Sequence, residues 1–290
     1  MNVDIYYFSG TGNSFAVARD LAEKLDAGLH SISKSIDEDD SIIDSRSVGF
    51  VFPDYHSNVP NIVRRFIERI NSLEGKYVFG ICTFGHDPGP TLKYLEKLIN
   101  SKNGKLSAGF AVKMPYNYIK PKFSFKGTSV ELEEIPKDEQ KKMFIKWKDR
   151  LDEICDVILN KEEMDIESNS ELLFKLIDLF KLKDTLGKLV WLRTAGFKGK
   201  TGLNFSESIR FMDHGFHVNE DCISCGTCED VCPVDNVKII DGRPSWKHRC
   251  EQCFGCFHWC PKSAIQFGDG TEDAERYHHP EVKISEMIDY

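Results

Sequence analysis

Residues 3–8 form an apolar, β-rich run, VDIYYF, and residues 14–25 then place Phe15, Ala18, Leu21, Ala22 and Leu25 on one helical face. Apolar positions recurring at three and four mark a helix, and short apolar runs mark buried strands. The alternation continues along the chain. A short strand is predicted at 29–33, an acidic turn at 37–40, and a buried strand, VGFVF, at 48–52. A helix follows at 60–70 with Pro60 at its first position, where a missing N–H does no harm. A strand at 76–83, a helix at 91–99, a strand at 106–112 and a long helix at 137–159 complete this half. Such alternation predicts an α/β doubly wound, mostly parallel sheet covered by helices on both faces. Its ligand should lie beyond the carboxyl ends of the strands, where the loops 9–14, 53–60 and 83–90 converge.

The pattern changes after residue 160. A helix is expected at 171–193, with Lys175, Asp178, Lys181, Asp184 and Lys188 on one face and Leu172, Leu176, Leu179, Leu186 and Val190 on the other. Its polar face mixes charge signs, which favours packing on a neighbouring domain over a membrane surface. The stretch GFKGKTG at 196–202 reads as a flexible turn. The chain therefore divides into a domain at 1–160, a helical linker at 161–215, a small cysteine-bearing domain at 216–268 and a polar tail at 269–290 expected to fray.

Charge narrows the partners. Lys plus Arg number 38 against 46 Asp plus Glu, a net charge of -8. Nucleic acid is not an expected partner, because phosphate backbones require a basic surface. No basic segment precedes an apolar stretch at the amino end, so no signal peptide is read there. No uncharged apolar run reaches ~18 residues, so no membrane span is expected. The expected location is cytoplasmic. Eight of the ten cysteines fall between residues 222 and 260, which in a reducing interior points to metal-bound thiolates rather than disulfides.

The loop FSGTGNS at 8–14 follows the first strand and opens the first helix. It lacks the third glycine of a dinucleotide fingerprint, where Phe15 stands, and no acid sits at the end of the second strand to read a ribose. The Gly199-Lys200-Thr201 triplet lacks the earlier glycine and the strand of a nucleoside-triphosphate loop. What remains is a turn rich in hydroxyls with no Lys or Arg. Backbone N–H groups and the positive end of a helix can hold a phosphate without a cation. That suits one terminal phosphate, as in FMN; the same turn could simply cap the helix.

Ser-Gly-Thr-Gly-Asn-Ser after a first strand resembles the phosphate loop of flavodoxins, over about the first half of the chain. The resemblance implies a five-stranded parallel sheet binding FMN. It implies that Ser9, Thr11, Gly12, Asn13 and Ser14 hold the phosphate, that Tyr55 flanks the isoalloxazine ring with Pro53 shaping its loop, and that Thr83, Phe84 and Gly85 meet the ring's other edge. From the residues alone, Tyr55 is equally an exposed loop aromatic. The stretch 112–121, VKMPYNYIKP, is either a cover for the flavin edge or a surface loop. Cys82 and Cys155 stand in apolar surroundings and read as packing.

The cysteine pattern is more specific. CISCGTCEDVCP at 222–233 and CEQCFGCFHWCP at 250–261 are each C-x2-C-x2-C-x3-C-P, a tandem repeat. Three thiolates at two-residue spacing wrap one iron–sulfur cube, and the fourth, ahead of proline, reaches the other cluster. Zinc sites use separated pairs and four ligands, which two complete runs exceed. The repeat resembles the bacterial two-cluster ferredoxins. The resemblance assigns Cys222, Cys225, Cys228 and Cys260 to one 4Fe–4S cluster, and Cys250, Cys253, Cys256 and Cys232 to the second, in a small α+β domain. Gly226 and Gly255 are expected to let the backbone approach the sulfides. His258 and Trp259 are expected to pack over a cluster.

The combination resembles the flavodoxin–ferredoxin fusion proteins of anaerobes. It implies an electron-transfer protein between redox donor and acceptor proteins, with a homodimer allowed. Glu229, Asp230 and Asp235 would keep the cluster potential low and could dock a basic partner. The alternative is an iron–sulfur flavoenzyme reducing a small molecule at FMN, for which His86, Tyr55 and Tyr116 are the candidate proton donors. A redox-sensing regulator finds no separate DNA-binding segment in the sequence.

Overall fold

The computed structural model describes residues 2–36, 42–119, 135–168, 186–269 and 271–289. The chain divides into two compact units, one of residues 1–116, 135–174 and 290, the other of residues 117–134 and 175–289.

In the first unit, five strands lie parallel: β1 (Val3–Tyr7), β2 (Gly28–Ser31), β3 (Ser47–Pro53), β4 (Tyr77–Phe84) and β5 (Leu106–Lys113). Their order is β2-β1-β3-β4-β5, the flavodoxin-like arrangement. The helices are α1 (Asn13–Leu25), α2 (Ile32–Ser35), α3 (Asn61–Arg69), α4 (Thr91–Asn100) and α5 (Lys137–Asn160). Residues 47–52 of β3 are all buried, as expected of a central strand covered on both faces. The predicted second strand is shorter than expected, because residues 32–35 turn into a helix. Pro60 caps α3 from outside, with ψ 144, rather than forming its first residue. The predicted acidic turn at 37–40 lies outside the described residues.

A buried carboxylate ties α1 to α5. Asp20 accepts hydrogen bonds from Trp147 Nε1 and Lys148 Nζ, both at 2.7 Å, which satisfies a charge that burial would otherwise penalise. Residues assigned to the linker by sequence instead extend this unit. Met164 N–H donates to Ser107 O (2.9 Å) and Glu167 N–H to Gly109 O (3.0 Å), a ladder that covers the free edge of β5. Cys82 and Cys155 are both buried.

Gly49 on β3 is in register with Phe79 on β4, and a Cβ at Gly49 would lie 2.2 Å from the ring's Cζ. Phe79 is fully buried. Gly49→Ala is therefore expected to destabilise the unit by roughly 1–3 kcal/mol. A lowered urea midpoint would show this; an unchanged midpoint would mean that the core yields there.

The second unit contains two small antiparallel pairs. β6 (Phe216–Val218) pairs with β9 (Ile265–Phe267), and β7 (Val237–Ile240) pairs with β8 (Arg243–Trp246). Before them come a helix, α6 (Lys188–Thr194), a helical turn at Phe205–Ser208 and a 3-10 stretch at Ile209–Gly215. A capping box fixes the turn: Asn204 Oδ1 accepts from Glu207 N–H (2.9 Å) and Glu207 Oε2 from Asn204 N–H (3.1 Å). Leu192, Phe205 and Met212 share one core with Phe216, Phe257 and Phe267. Residues 188–215 are thus part of this unit's core, not a bridge. Of the apolar face predicted for 171–193, Leu172, Leu176 and Leu179 lie outside the described residues. Leu186 and Val190 are exposed, at 64% and 44%, and the buried side chain is Leu192. The tail also differs from expectation: Thr271, His279 and Val282 are buried.

Candidate functional site

The first unit brings its three predicted loops together at the carboxyl ends of the strands, with Thr83 as their junction. Ser14 and Thr83 share a hydroxyl–hydroxyl bond of 2.7 Å. Thr83 O accepts from Asp54 N–H at 2.7 Å, and Pro53 pairs in register with Thr83. Within the hydroxyl-rich loop, Gly12 takes a left-handed φ of 93 and its N–H donates to Ser9 Oγ at 3.1 Å. Ser9, Thr11, Asn13 and Ser14 are all buried. The N-cap residue of α1 is Gly12, which has no side chain with which to cap it.

The second loop holds Tyr55 in a tight turn. Tyr55 and Asn58 exchange backbone hydrogen bonds of 3.2 and 3.1 Å, while His56 and Ser57 have φ of 59 and 56. Asp54 sets the turn. Its Oδ1 accepts from Asn58 N–H (3.0 Å) and from Thr91 Oγ1 (2.6 Å), which links the turn to the start of α4. Tyr55 is half-buried and meets Phe8 edge-on at 6.0 Å.

The stretch after β5 lies over this loop cluster as far as Tyr116. Pro115 O accepts from Asn13 Nδ2 at 2.7 Å. Tyr116 packs on Gly85 so closely that a Cβ on Gly85 would lie 2.4 Å from the tyrosine Cβ. Phe84 O is already taken by Met114 N–H at 2.8 Å, so the expected backbone contact at Phe84 cannot use that oxygen freely. His86 is exposed. The loops fit a phosphate-bearing ligand in kind: hydroxyls and a left-handed glycine at a helix start, with no cation in residues 9–14.

In the second unit, Cys222, Cys225, Cys228 and Cys260 line one cavity. Burial pushes the Cys228 thiol up to about 12, with Cys260 beside it adding to the effect. Cys250, Cys253 and Cys256 are drawn toward Cys232. Burial raises the Cys253 thiol to about 12 and the Cys256 thiol well above its usual range, and Cys232 neighbours both. Cys260 thus lies with the first triplet, and Cys232 lies near Cys253 and Cys256, which is compatible with the swapped pattern. Thiols so desolvated and crowded fit a shared cationic cluster that would hold them ionised.

The loops curl by matching backbone turns. Ser224 and Gly226 have φ of 56 and 81, and the equivalent Gln252 and Phe254 have 53 and 56. Gly255 opens a helical turn at Gly255–His258, and its backbone N–H reaches the Cys253 sulfur; Phe254 takes the left-handed position equivalent to Gly226. Main-chain N–H groups point at sulfur at equivalent places, Asn236 N to Cys232 Sγ at 3.1 Å and Ala264 N to Cys260 Sγ at 3.3 Å. Such bonds stabilise negative charge on sulfur.

Both ring nitrogens of His258 are engaged. Its Nδ1 accepts from Tyr277 N–H (3.0 Å) and its Nε2 bonds Asn117 O (2.8 Å), while burial lowers its pKa to about 4. Trp259 stacks on His278 at 4.3 Å. Glu229 is also committed: it accepts from Lys238 Nζ and from Ile239 N–H, both at 2.8 Å, so it braces β7 rather than standing free for a partner.

Several supporting residues escaped the sequence reading. Asp213 is buried and accepts from Asn236 Nδ2 (3.0 Å), His248 N–H (2.8 Å) and His248 Nδ1 (2.7 Å), which pins the entry to the second cysteine run. Asn117 Nδ2 donates to Cys253 O at 3.1 Å. Arg276 lies 3.4 Å over the Phe257 ring and donates to Phe257 O and Ser263 O, both at 2.9 Å. Tyr118 stacks on Trp191 at 5.7 Å. Asn236, four residues after Cys232, and His248, two before Cys250, stood close enough to a motif to be found by inspection.

The 4Fe-4S binding domain family matches residues 216–238, a span that holds the first cysteine run. No curated protein matches the chain. Among solved structures, a putative flavoprotein from Bacteroides uniformis is 20% identical, over 39% of this chain and 90% of its own, with a TM-score of 0.32. A short-chain flavodoxin associated with a PDU bacterial microcompartment is 14% identical, over 55% of this chain and 98% of its own, with a TM-score of 0.38. Rubredoxin oxygen:oxidoreductase from Desulfovibrio gigas is 17% identical over 55% of this chain and 36% of its own, with a TM-score of 0.36. Among the described residues no helix is long and apolar enough to cross a membrane. With its strand order and its cysteine domain taken together, the chain joins a flavodoxin-like α/β unit to a 4Fe-4S ferredoxin-type unit.

Proposed function

We propose that the protein transfers low-potential electrons between two 4Fe-4S clusters and FMN, linking a donor protein to an acceptor enzyme. The observation that supports this reading is the cavity lined by Cys222, Cys225 and Cys228 of the first run together with Cys260 of the second. When bound, FMN accepts one or two electrons and each 4Fe-4S cluster accepts one. The residues around these positions bind and orient. Ser9, Thr11, Gly12, Asn13 and Ser14 would receive the phosphate, and Tyr55 and Tyr116 would limit water at the ring. Arg276 places a positive charge near Cys256 and Cys260, which favours added negative charge there. Joining both units in one chain raises their effective concentration.

Anaerobically purified protein is expected to contain about eight irons and one FMN per chain. Stepwise reduction should bleach both chromophores. One or two zincs in place of iron would refute the cluster assignment.

A second reading, a flavoenzyme fed by the clusters, is favoured by one observation. A cavity of about 280 Å³ begins at Phe84, in the loop proposed for the flavin edge.

A further inference from the structure

That cavity lies between the end of β5 and α5 within the first unit. Phe84, Val112, Met143 and Trp147 give it apolar walls, and Lys113, Lys142, Lys146, Arg150 and Glu139 provide its charges. Four cations face one acid in a chain whose net charge is -8. Two of the cations are already balanced. Lys142 Nζ lies 2.7 Å from Glu139 and 3.8 Å from Asp138. Arg150 donates to Ala111 O at 2.9 Å and pairs with Glu167. Lys113 and Lys146 have no ion-pair partner among the described residues.

We propose that this cavity binds a small organic carboxylate, with its head between Lys113 and Lys146 and its apolar body against Phe84 and Trp147. A cavity of about 280 Å³ is near the lower end of ligand-pocket sizes and suits a small molecule. Two ammonium groups with no ion-pair partner among the described residues give the head a charge partner. The aromatic and aliphatic walls give the body an apolar surface to leave water for. The ligand's role as substrate or inhibitor rests on the flavoenzyme reading, because Phe84 is shared with the loop proposed to meet the ring. Its binding does not rest on that reading.

The test is calorimetric titration of the anaerobically prepared full chain with benzoate, hexanoate and, separately, inorganic phosphate. Flavin and iron are counted on every sample. The wild type should bind benzoate or hexanoate at one site per chain. Lys113→Gln with Lys146→Gln, both on the surface, should bind on the order of tenfold more weakly or worse, the loss expected for charge-assisted hydrogen bonds. Its iron and flavin content should be unchanged. Absence of carboxylate binding to the wild type, or equal affinity in the double variant, overturns the proposal. Phosphate binding as tight as the carboxylates overturns the role of the apolar walls and hence the ligand class. Flavin-free protein that still binds carboxylate through the two lysines would refute the flavin reading alone. Flavin-loaded protein that binds none would refute this inference alone.

Discussion

Cys260→Ser is expected to remove the cluster held by Cys222, Cys225 and Cys228, although it lies beyond the second cysteine run's own triplet. The folded chain places Cys260 on the cavity lined by that first triplet, and its sulfur stands beside Cys228. A serine oxygen is a harder, less readily ionised donor than thiolate, so the cube loses a corner. Iron should fall from about eight toward about four per chain. The remaining EPR signal should belong to the cluster of Cys232, Cys250, Cys253 and Cys256. A matched Cys232→Ser should produce the opposite loss. If Cys260→Ser instead damages only the cluster of Cys250, Cys253 and Cys256, ligation follows sequence neighbours and the swapped assignment fails.

The second large effect concerns the flavin. Thr11→Ala combined with Ser14→Ala should leave the protein folded but nearly free of FMN after desalting. Both hydroxyls are buried in the loop, and Ser14 also anchors Thr83 at the end of β4. Each hydrogen bond to a charged group contributes about 1.5–3 kcal/mol, so losing two weakens binding by on the order of a hundredfold or more. Far-ultraviolet circular dichroism should confirm the intact fold, and iron content should stay constant because the cysteine unit is untouched. Undiminished flavin content would mean that the phosphate is held elsewhere, or that no phosphate is held.

Much of this architecture was legible before any coordinates. The strands of a sheet covered on both faces leave continuous apolar runs, and β3 and β4 are such runs. The helices α1, α3 and α5 show their period in the sequence. Local spacing also carried the cysteine repeat, because a loop wrapping three thiolates needs them two residues apart. Less visible were features that depend on partners far along the chain. Asp20 looks like any surface acid of a helix until Trp147, 127 positions later, donates to it. Asp213 and His248 are 35 positions apart. Phe254 in a left-handed conformation contradicts residue preference, and only the repeat's symmetry with Gly226 accounts for it. The tail is polar by composition yet holds Arg276 against Phe257, since a guanidinium can cover an aromatic face and bond carbonyls at once.

The sequence by itself determined the main alternation of strands and helices in the first unit, the hydroxyl-rich turn and the two cysteine runs, because each is written in periods and spacings shorter than about one element. Only the tertiary structure decided that Thr83 ties the three loops together. It also decided that residues 163–167 close the sheet edge and that a basic cavity opens beside Phe84. Those features arise where distant segments meet, and the energies that select them come from burial and hydrogen bonding between residues that no local pattern relates.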